Sequence, residues 1–321
     1  MLWLAGLLGM FAIGVSAFAC ADELTPVSED ADDLLGEDVG TGDLVDDLTA
    51  DSFDVGLILP GTDSADVLGG ADGNDQINGY DGDDTVVGMY GDDVLHGGKG
   101  NDAVAGIEGA DELHGEYGDD TLAGGDGDDA MFGHGDGDTL AGGDGDDELH
   151  GGDGNDTLAG GAGDDALHGG LCEDALAGGE GEDTLFGGWG DDALTGQDDT
   201  EPNSVDYLNG GGGDDTIIAG QSDIVTTGDG ADAIALGQWL EDAATEITDY
   251  DAADDSLLLV WDLEEDPDPQ VTILVDEADA SINHVLVNGT KIATVHGATP
   301  PDPLDIILVD SGLTGPGLQA G

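Results

Sequence analysis

A nine-residue unit is written fifteen times in succession between residues 61 and 195, with no change of phase. A representative copy is residues 151–159, which read G-G-D-G-N-D-T-L-A. In all fifteen copies the first position is Gly, the sixth is Asp, and the eighth is aliphatic or Met. Repetition at a short fixed period is the signature of a solenoid, in which each unit contacts only its neighbours. The repeat therefore constrains the fold more than any other feature of the chain.

Each unit divides into a turn and a strand. Nine residues are too few for a pair of helices, and the frequent Gly positions exclude a single helix. The first six positions predict a tight turn, because Gly adopts the positive φ angles that such turns require. The last three positions, such as residues 157–159, predict a short strand. Alternation along that strand points the eighth side chain inward and the seventh and ninth outward.

The ninth position carries a second period, because it is bulky in every other unit and small in the units between. The bulky residues recur every 18 residues and are His96, His114, Phe132, His150, His168 and Phe186. This alternation predicts an 18-residue coil with two strands per turn and two unlike faces. Units n and n+2 would then stack at the strand spacing of about 4.8 Å. We interpret the bulky column as a solvated sheet face; its imidazoles could also capture Zn²⁺ or Cu²⁺, although two Phe residues interrupt a continuous ladder.

The unit resembles the G-G-x-G-x-D-x-U-x nonapeptide of RTX proteins, also called hemolysin-type calcium-binding repeats. The match is strict over residues 61–195 and continues loosely to about residue 235, past a five-residue insertion within residues 196–209. The resemblance implies an all-β fold: a parallel β-roll, which is a solenoid of calcium-stacked nonapeptides, with a C-terminal β cap. It also implies that sixth-position Asp carboxylates and backbone carbonyls of paired turns form the cage around each Ca²⁺.

The candidate calcium ligands are the sixth-position Asp residues from the second unit onward. They are Asp75, Asp84, Asp93, Asp102, Asp111, Asp120, Asp129, Asp138, Asp147, Asp156, Asp165, Asp174, Asp183, Asp192 and Asp215. Carboxylates at the fifth position add to the same hard-oxygen environment, and Ca²⁺ takes six to eight oxygens at about 2.3–2.6 Å. Mg²⁺ fits less well because it demands a tight octahedron. We expect weaker sites in the irregular units, which contain Ser64 and Ala65, Asp136, or Cys172.

Net charge points to the same cation. The chain has 76 acidic residues and two basic ones, for a net charge of −74. Residues 61–195 hold 36 acidic residues and one Lys, so self-repulsion should open this segment and bound cations should fold it. Up to about one Ca²⁺ per pair of stacked units would neutralise roughly three quarters of that charge. The same imbalance excludes nucleic acid as a partner, since no basic patch exists to meet phosphate.

Composition divides the chain into four regions. Residues 1–21 include an uncharged apolar run, 2–21, which predicts either a cleaved signal peptide or an N-terminal membrane anchor. Residues 22–60 hold 13 acidic residues and few large apolar ones, which predicts an acidic disordered spacer. The predicted β-roll occupies residues 61–235, and a predicted β capping region follows at residues 236–321.

Four segments of the capping region have the composition of strands. They are residues 256–261, 271–275, a hairpin within 285–292 that contains an Asn-Gly turn, and 305–309. A stack of repeats needs a terminal unit that covers its last apolar layer, and these segments are suited to that role. The resemblance also implies that the C-terminus could carry a type I secretion signal, which competes with the apolar N-terminal run as the export route.

Enzyme motifs are missing from the sequence. None of its seven His residues forms H-E-x-x-H, no G-x-S-x-G elbow has a plausible triad, and the chain contains no Arg. We therefore predict a non-enzymatic calcium-binding protein that is extracellular or on the surface of a bacterium. Its role could be structural or adhesion-like, or that of a secreted calcium buffer or sensor. A further alternative is the RTX portion of a toxin-like or hydrolase-like family whose catalytic domain is absent here. The sequence names no protein or glycan partner.

Overall fold

The computed structural model shows a chain built from strands. It describes residues 56–196, 204–237, 244–264, 266–297, 299–303 and 306–310. The strands are β1 (Ile58–Thr62), β2 (Val67–Gly69), β3 (Gln76–Asp81), β4 (Thr85–Tyr90), β5 (Val94–Lys99), β6 (Ala103–Glu108), β7 (Glu112–Tyr117), β8 (Thr121–Asp126), β9 (Ala130–Gly135), β10 (Thr139–Asp144), β11 (Glu148–Asp153), β12 (Thr157–Ala162), β13 (Ala166–Leu171), β14 (Ala175–Glu180), β15 (Thr184–Trp189), β16 (Ala193–Thr195), β17 (Tyr207–Gly212), β18 (Thr216–Ile218), β19 (Ile224–Asp229), β20 (Ala233–Gly237), β21 (Thr245–Ile247), β22 (Ser256–Trp261), β23 (Val271–Val275), β24 (Ile282–Val287), β25 (Thr290–His296) and β26 (Ile307–Asp310). In these ranges no helix has the length and hydropathy that a membrane span requires.

Successive strands alternate between two parallel sheets, as the 18-residue period predicted. The first sheet has 14 strands and begins β1-β3-β5, and the second has 12 strands and begins β2-β4-β6. In the regular repeats, neighbouring strands of a sheet pair residues that are 18 positions apart, so Leu149 lies between Met131 and Leu167. Every position of the repeat is therefore stacked on its own copy one coil away. The all-β parallel roll predicted from the sequence is confirmed.

The strands are longer than the three residues predicted, and that prediction was wrong. β10 and β12 each have six residues and run from the seventh position of one unit to the third position of the next. The register explains the extension. Because identical positions face each other, the ladder continues beyond the ninth position and pairs Gly143 with Gly161 and Asp144 with Ala162.

The roll also begins earlier than predicted. β1 lies partly inside the segment 22–60 that we expected to be a disordered spacer, and it pairs with β3 in the same register, Leu59 opposite Ile77. Leu59 stands 18 residues before Ile77, so the first coil extends the apolar column by one residue. Residues 1–55, which hold the predicted signal or anchor and most of the spacer, lie outside the described residues. So do residues 197–203 of the insertion.

The interior is a narrow column of eighth-position side chains. Leu140, Leu149 and Leu158 are fully buried, and the column continues in both directions with one residue per unit. The outward seventh and ninth side chains are half-buried or exposed in most units, as predicted, whereas the ninth-position Val87 and Ala105 are buried. A core only one residue wide per strand buries little apolar surface for each residue that must be ordered, so the apolar column alone stabilises the roll weakly.

The C-terminal strands continue both sheets beyond the repeats. β21, β25, β24 and β23 extend the first sheet, and β22 and β26 extend the second. β24 and β25 form the predicted antiparallel hairpin, whose turn at Asn288 and Gly289 has the φ angles of 53° and 88° that this turn requires. Buried Val285 and Val295 join the apolar column of the roll. The last repeat strands are therefore paired, and the terminal apolar layer is covered.

Candidate metal centre

Two columns of Asp side chains run the length of the roll, one residue per coil. Each Asp lies directly before a strand, because the sixth position of the unit precedes the strand that begins at the seventh. The first Asp column precedes strands of the first sheet and contains Asp75, Asp93, Asp111, Asp129, Asp147, Asp165, Asp183, Asp206 and Asp223. The second Asp column precedes strands of the second sheet and contains Asp66, Asp84, Asp102, Asp120, Asp138, Asp156, Asp174, Asp192, Asp215, Asp232 and Asp255.

Within a column, each Asp is linked to the Asp of the next coil by one backbone hydrogen bond. The N–H of Asp129 donates to Oδ1 of Asp147 at 2.8 Å, and the N–H of Asp147 donates to Oδ1 of Asp165 at 2.8 Å. One carboxylate oxygen of each residue is thus fixed by the protein. The other oxygen, Oδ2, is left to point elsewhere.

In most members of the two Asp columns, Oδ2 is buried and accepts no hydrogen bond within the described part of the chain. These residues are Asp84, Asp93, Asp102, Asp111, Asp120, Asp129, Asp138, Asp147, Asp156, Asp165, Asp174, Asp192, Asp215 and Asp232. Their side chains are at most 3% exposed. A buried ionised carboxylate with a free oxygen is costly unless a cation or a proton meets it. The buried carboxylates of the columns therefore require positive charge nearby, and the two Lys residues of the chain do not supply it.

The first-position Gly of each unit faces the same space as the free Oδ2. A methyl group added to Gly142 would overlap Oδ2 of Asp147 and would lie 2.7 Å from the carbonyl oxygen of Gly160. The corresponding methyl on Gly160 would meet Asp165 and the carbonyl oxygen of Gly178 in the same way. Carboxylate and carbonyl oxygens therefore converge on the first-position Gly so closely that no side chain fits there. Such an all-oxygen lining suits Ca²⁺.

Electrostatics supports the same conclusion. Burial raises the pKa of Asp138 and of Asp165 to about 8, and that of Asp120 to about 7. The backbone N–H that each carboxylate accepts opposes this rise in pKa, and the neighbouring Asp carboxylates of the column add to it. In the chain alone, these groups hold protons near neutral pH. A bound divalent cation would replace the protons and favour the ionised carboxylates.

All fifteen predicted ligands lie in the two columns, but Asp75 differs from the rest. Its Oδ2 accepts the N–H of Ala71 at 2.8 Å, so it is already satisfied by the protein. In the first unit, Asp66 is half-buried and its Oδ2 accepts the N–H and the hydroxyl of Thr62 at 2.7 and 2.8 Å. This first turn therefore has a different arrangement, in the unit where we expected poor binding.

The other two irregular units keep the regular arrangement. Asp136 and Cys172 replace Gly at the fourth position and still adopt positive φ angles of 75° and 79°. Asp138 and Asp174 in these units have the same buried, unpartnered Oδ2 as the regular copies. The turn geometry thus tolerates the substitutions, and weaker calcium binding at these units stays a prediction.

The fifth-position carboxylates do not enter the buried space. Asp146 is exposed, and its Oδ1 accepts the N–H of Asp164 at 2.9 Å. Asp128 and Asp164 accept the equivalent turn N–H groups of the following coil. These side chains satisfy turn amides on the outer surface of the roll and leave the sixth-position residues as the carboxylates of the interior.

The predicted ligand set left out four members of the columns, although the sequence places Asp232 at the sixth position of the last recognisable unit. Asp206, Asp223, Asp232 and Asp255 continue the hydrogen-bonded series beyond the regular repeats. Each is followed two residues later by an apolar inward residue, the same Asp-x-apolar pattern as in the repeats. The insertion and the shortened copy break the nine-residue phase, so the pattern must be sought without fixed spacing.

Side chains alone do not complete a metal cage. Among the described residues, no group of three or more His, Cys, Asp or Glu side chains is placed to hold one metal ion. Backbone carbonyl oxygens must supply the remaining donors, which agrees with the carbonyls of Gly160 and Gly178 that line the space. A coordination shell rich in carbonyl oxygens again suits Ca²⁺ better than Mg²⁺.

Comparison with protein families gives one match. The model of the RTX calcium-binding nonapeptide repeat matches residues 60–89, 78–106, 105–140, 141–171, 173–200 and 203–234, which together cover more than half of the chain. No curated protein matches the chain. The matched stretches coincide with the strands and turns that carry the two Asp columns.

Proposed function

Because the chain belongs to the RTX calcium-binding nonapeptide repeat family, we propose that its two Asp columns bind stacked Ca²⁺ ions and that this binding folds the roll. The β-roll of such repeats is a calcium-binding structural element and not a catalytic fold. The observation that carries the proposal is the series of buried Oδ2 atoms without a hydrogen-bond partner. Calcium would supply the charge and the coordination that these atoms lack.

Each ion would sit between turns of consecutive coils. In the middle of the first Asp column, the donors would include Oδ2 of Asp147 and the carbonyl oxygen of Gly160, which face one space. The same pattern supports a site at each regular step of both columns, up to about one ion per pair of stacked turns. The ligands are the sixth-position Asp residues predicted above, with Asp232 added and Asp75 contributing least.

Folding and ion binding would be one process. Without cations, the repulsion within a segment of 36 acidic residues and one Lys opposes a compact roll whose apolar core is narrow. With cations, every coil gains an ionic link to the next, and the C-terminal strands cover the end of the stack. We infer that the product is a rigid rod that serves a structural or surface role outside the cytoplasm, as is typical of secreted bacterial RTX proteins.

Calcium titration of the full chain tests this proposal. We expect far-ultraviolet circular dichroism to change from a disordered to a strand-rich spectrum as Ca²⁺ is added, and calorimetry to report several bound ions. Mg²⁺ at the same concentration is the control and should give much less strand signal. A spectrum with the same strand content in chelator and in calcium would overturn the proposal.

Fractionation of cells that express the tagged full chain tests the location. Recovery in the membrane or surface fraction would support the structural role. A soluble, calcium-switched protein in the cell-free medium would instead support the calcium buffer or sensor. Recovery only from the cytoplasm would contradict both.

A further inference from the structure

A pair of imidazoles lies on the outer face of the first sheet, away from the Asp columns. His114 occupies the ninth position of its unit and His134 the second position of a later unit, 20 residues on. Coiling brings them together, with Nδ1 of His114 3.0 Å from Nε2 of His134 and the ring centroids 5.3 Å apart. His134 is exposed and His114 half-buried, so solvent reaches the pair.

A carboxylate fixes the tautomer of His114. Oε1 of Glu112 lies 3.0 Å from Nε2 of His114 and accepts its N–H. Nδ1 of His114 is then the unprotonated nitrogen, and its lone pair points toward His134. A metal-binding His commonly donates its other N–H to a carboxylate in this way, which orients the ring and raises its basicity.

We propose that His114 and His134 form a two-imidazole site for a divalent transition metal ion, with Glu112 as the carboxylate that orients His114. Imidazole nitrogens bind such ions at about 2.0–2.1 Å, so two of them at an angle of roughly 90–110° lie about 2.8–3.4 Å apart. The observed 3.0 Å lies within that interval. The order of affinities for nitrogen ligands favours Cu²⁺, followed by Ni²⁺ and Zn²⁺.

Protons are conserved when the ion enters. Before binding, the N–H at Nε2 of His134 donates a hydrogen bond to Nδ1 of His114. On binding, that proton moves through solvent to Nδ1 of His134, and both facing nitrogens present lone pairs to the metal. Since no three His, Cys, Asp or Glu side chains converge in the described ranges, water completes the shell.

The other imidazoles of the aromatic column are arranged differently, and His150 and His168 have ring centroids 5.8 Å apart and an interplanar angle of 54°. His96 is stacked on His114 with ring centroids 4.6 Å apart, and its Nδ1 lies 3.2 Å from Oε1 of Glu116. His168 stacks on Phe186. The site is therefore a local cluster, distinct from a continuous metal ladder along the column. Its two ligands meet only in the coiled chain, so binding requires the folded roll.

Copper(II) titration of the calcium-loaded full chain tests the site. Excess Ca²⁺ occupies the oxygen sites, and electron paramagnetic resonance distinguishes nitrogen from oxygen coordination. We expect one site with two imidazole nitrogens in the parent, a loss of that signature with at least a tenfold weaker affinity in His134→Gln, and the same loss in His114→Gln. The matched control is His168→Gln, which keeps both ligands and should bind like the parent.

Circular dichroism in calcium verifies that each variant folds, so that failure of this proposal is separate from failure of calcium binding. A folded parent whose copper shows only oxygen coordination would overturn the two-imidazole site, and so would a His134→Gln variant that binds copper as the parent does. The calcium-free comparison uses protein desalted by gel filtration, because a chelator would also remove Cu²⁺. There the two-nitrogen signature should disappear.

Discussion

The repeat stack and the C-terminal region both carry Asp side chains at the ends of coils, but the hydrogen bonds that the carboxylate oxygens accept differ between the two regions. In the stack, Oδ1 of Asp147 accepts a backbone N–H and Oδ2 accepts none within the described residues. In the C-terminal region, Asp249 accepts the N–H groups of Thr227 and Gly228 through its two oxygens. Asp255 accepts N–H groups through both oxygens as well, from Asp232 and from Asp251. One residue type is thus left open to a cation in one region and closed by the protein in the other.

The two kinds of carboxylate depend on calcium to different degrees. A carboxylate with both oxygens satisfied by N–H groups stabilises its surroundings without a metal. A buried carboxylate with a free oxygen destabilises the chain until a cation arrives. We therefore expect calcium dependence to be regional, strongest in the stack and weakest where the hydrogen bonds of Asp249 and Asp255 end the columns.

Removal of calcium should have the largest effect and should divide the two regions. Hydrogen exchange of the full chain, resolved by peptide, should show loss of protection throughout residues 76–196 in chelator. The hairpin of β24 and β25 should lose less protection, because antiparallel pairing and its Val and Ile side chains do not depend on the Asp columns. Equal loss in both regions would contradict the comparison, and equal protection with and without calcium would contradict the role of the ion.

The pH dependence of the metal-free chain should come next. A carboxylate whose pKa is raised by folding favours the folded state fully below its unfolded pKa, and that advantage is lost as pH rises through its folded pKa. For Asp120, Asp138 and Asp165, this advantage is lost between the ordinary pKa of 3.8 and the raised pKa of about 7 or 8. Strand content without calcium should therefore be higher at pH 5 than at pH 8.

The segment between β23 and β24 should show the opposite sign, in contrast to Asp255, whose pKa is raised by burial. Backbone N–H groups of Ala278 and Asp279 lower the pKa of the half-buried Asp276 carboxyl, so its contribution to stability is lost as pH falls. Circular dichroism and hairpin-specific hydrogen exchange across this range measure both trends. Metal-free strand content that rises with pH would contradict the assignment of the buried carboxylates. In calcium, protons compete for the same oxygens, so affinity should weaken as pH falls from 8 to 6.

Substitution of Gly142 by Ala should disrupt one calcium site. The added methyl would overlap Oδ2 of Asp147 and lie 2.7 Å from the carbonyl oxygen of Gly160, in the space proposed for the ion. We expect loss of about one bound ion by calorimetry and a higher calcium midpoint of folding. The matched control is Gly289→Ala in the hairpin, where φ is 88° and the added methyl group would have no atom within 4 Å apart from those of its sequence neighbours. That change should cost about 1–2 kcal/mol through backbone strain and leave the calcium stoichiometry unchanged. Equal stoichiometry in both variants would count against the proposed position of the ion.

The smallest effect should come from Asp147→Ala in the middle of the first Asp column. It removes one proposed ligand and leaves the buried N–H of Asp129 without its acceptor, which costs about 1–3 kcal/mol in the calcium-loaded protein. Asp144→Ala is the control, because Asp144 is exposed and lies three residues earlier in the same unit. Chemical denaturation in saturating calcium measures both. A similar loss of unfolding free energy in the two variants would mean that the removal of a charge, and not the position of the carboxylate, causes the effect.

The sequence was sufficient to predict the coil and the inward column. The strict spacing of Asp147 and Leu149 within each unit predicts their stacking on copies 18 residues away, because a solenoid has one geometry per unit. It was insufficient for the length of the strands, since pairing beyond the ninth position depends on the neighbouring coil. The sequence pattern also predicted that the roll starts at residue 61, although Leu59 already belongs to the apolar column.

The candidate site was predictable by residue type and less so by extent. Phase alone identifies Asp147, but Asp206 follows an insertion and lies 23 residues after Asp183. The hydrogen bond between the two and the pairing of Leu185 with Leu208 show that the column continues. The exposed position of Asp146 and the pairing of His114 with His134 were also hidden, because each depends on contacts between coils that no local pattern contains.

Because successive strands alternate between two sheets, the number of units between two side chains decides whether they lie on the same face of the roll. Loss or duplication of two units would leave every later side chain on its original face, so length can change without rearrangement. Loss of a single unit, such as residues 151–159, would move His168 and all that follows to the face opposite His150. The unbroken aromatic row from His96 to Phe186 therefore depends on a single intervening unit between each pair of successive members.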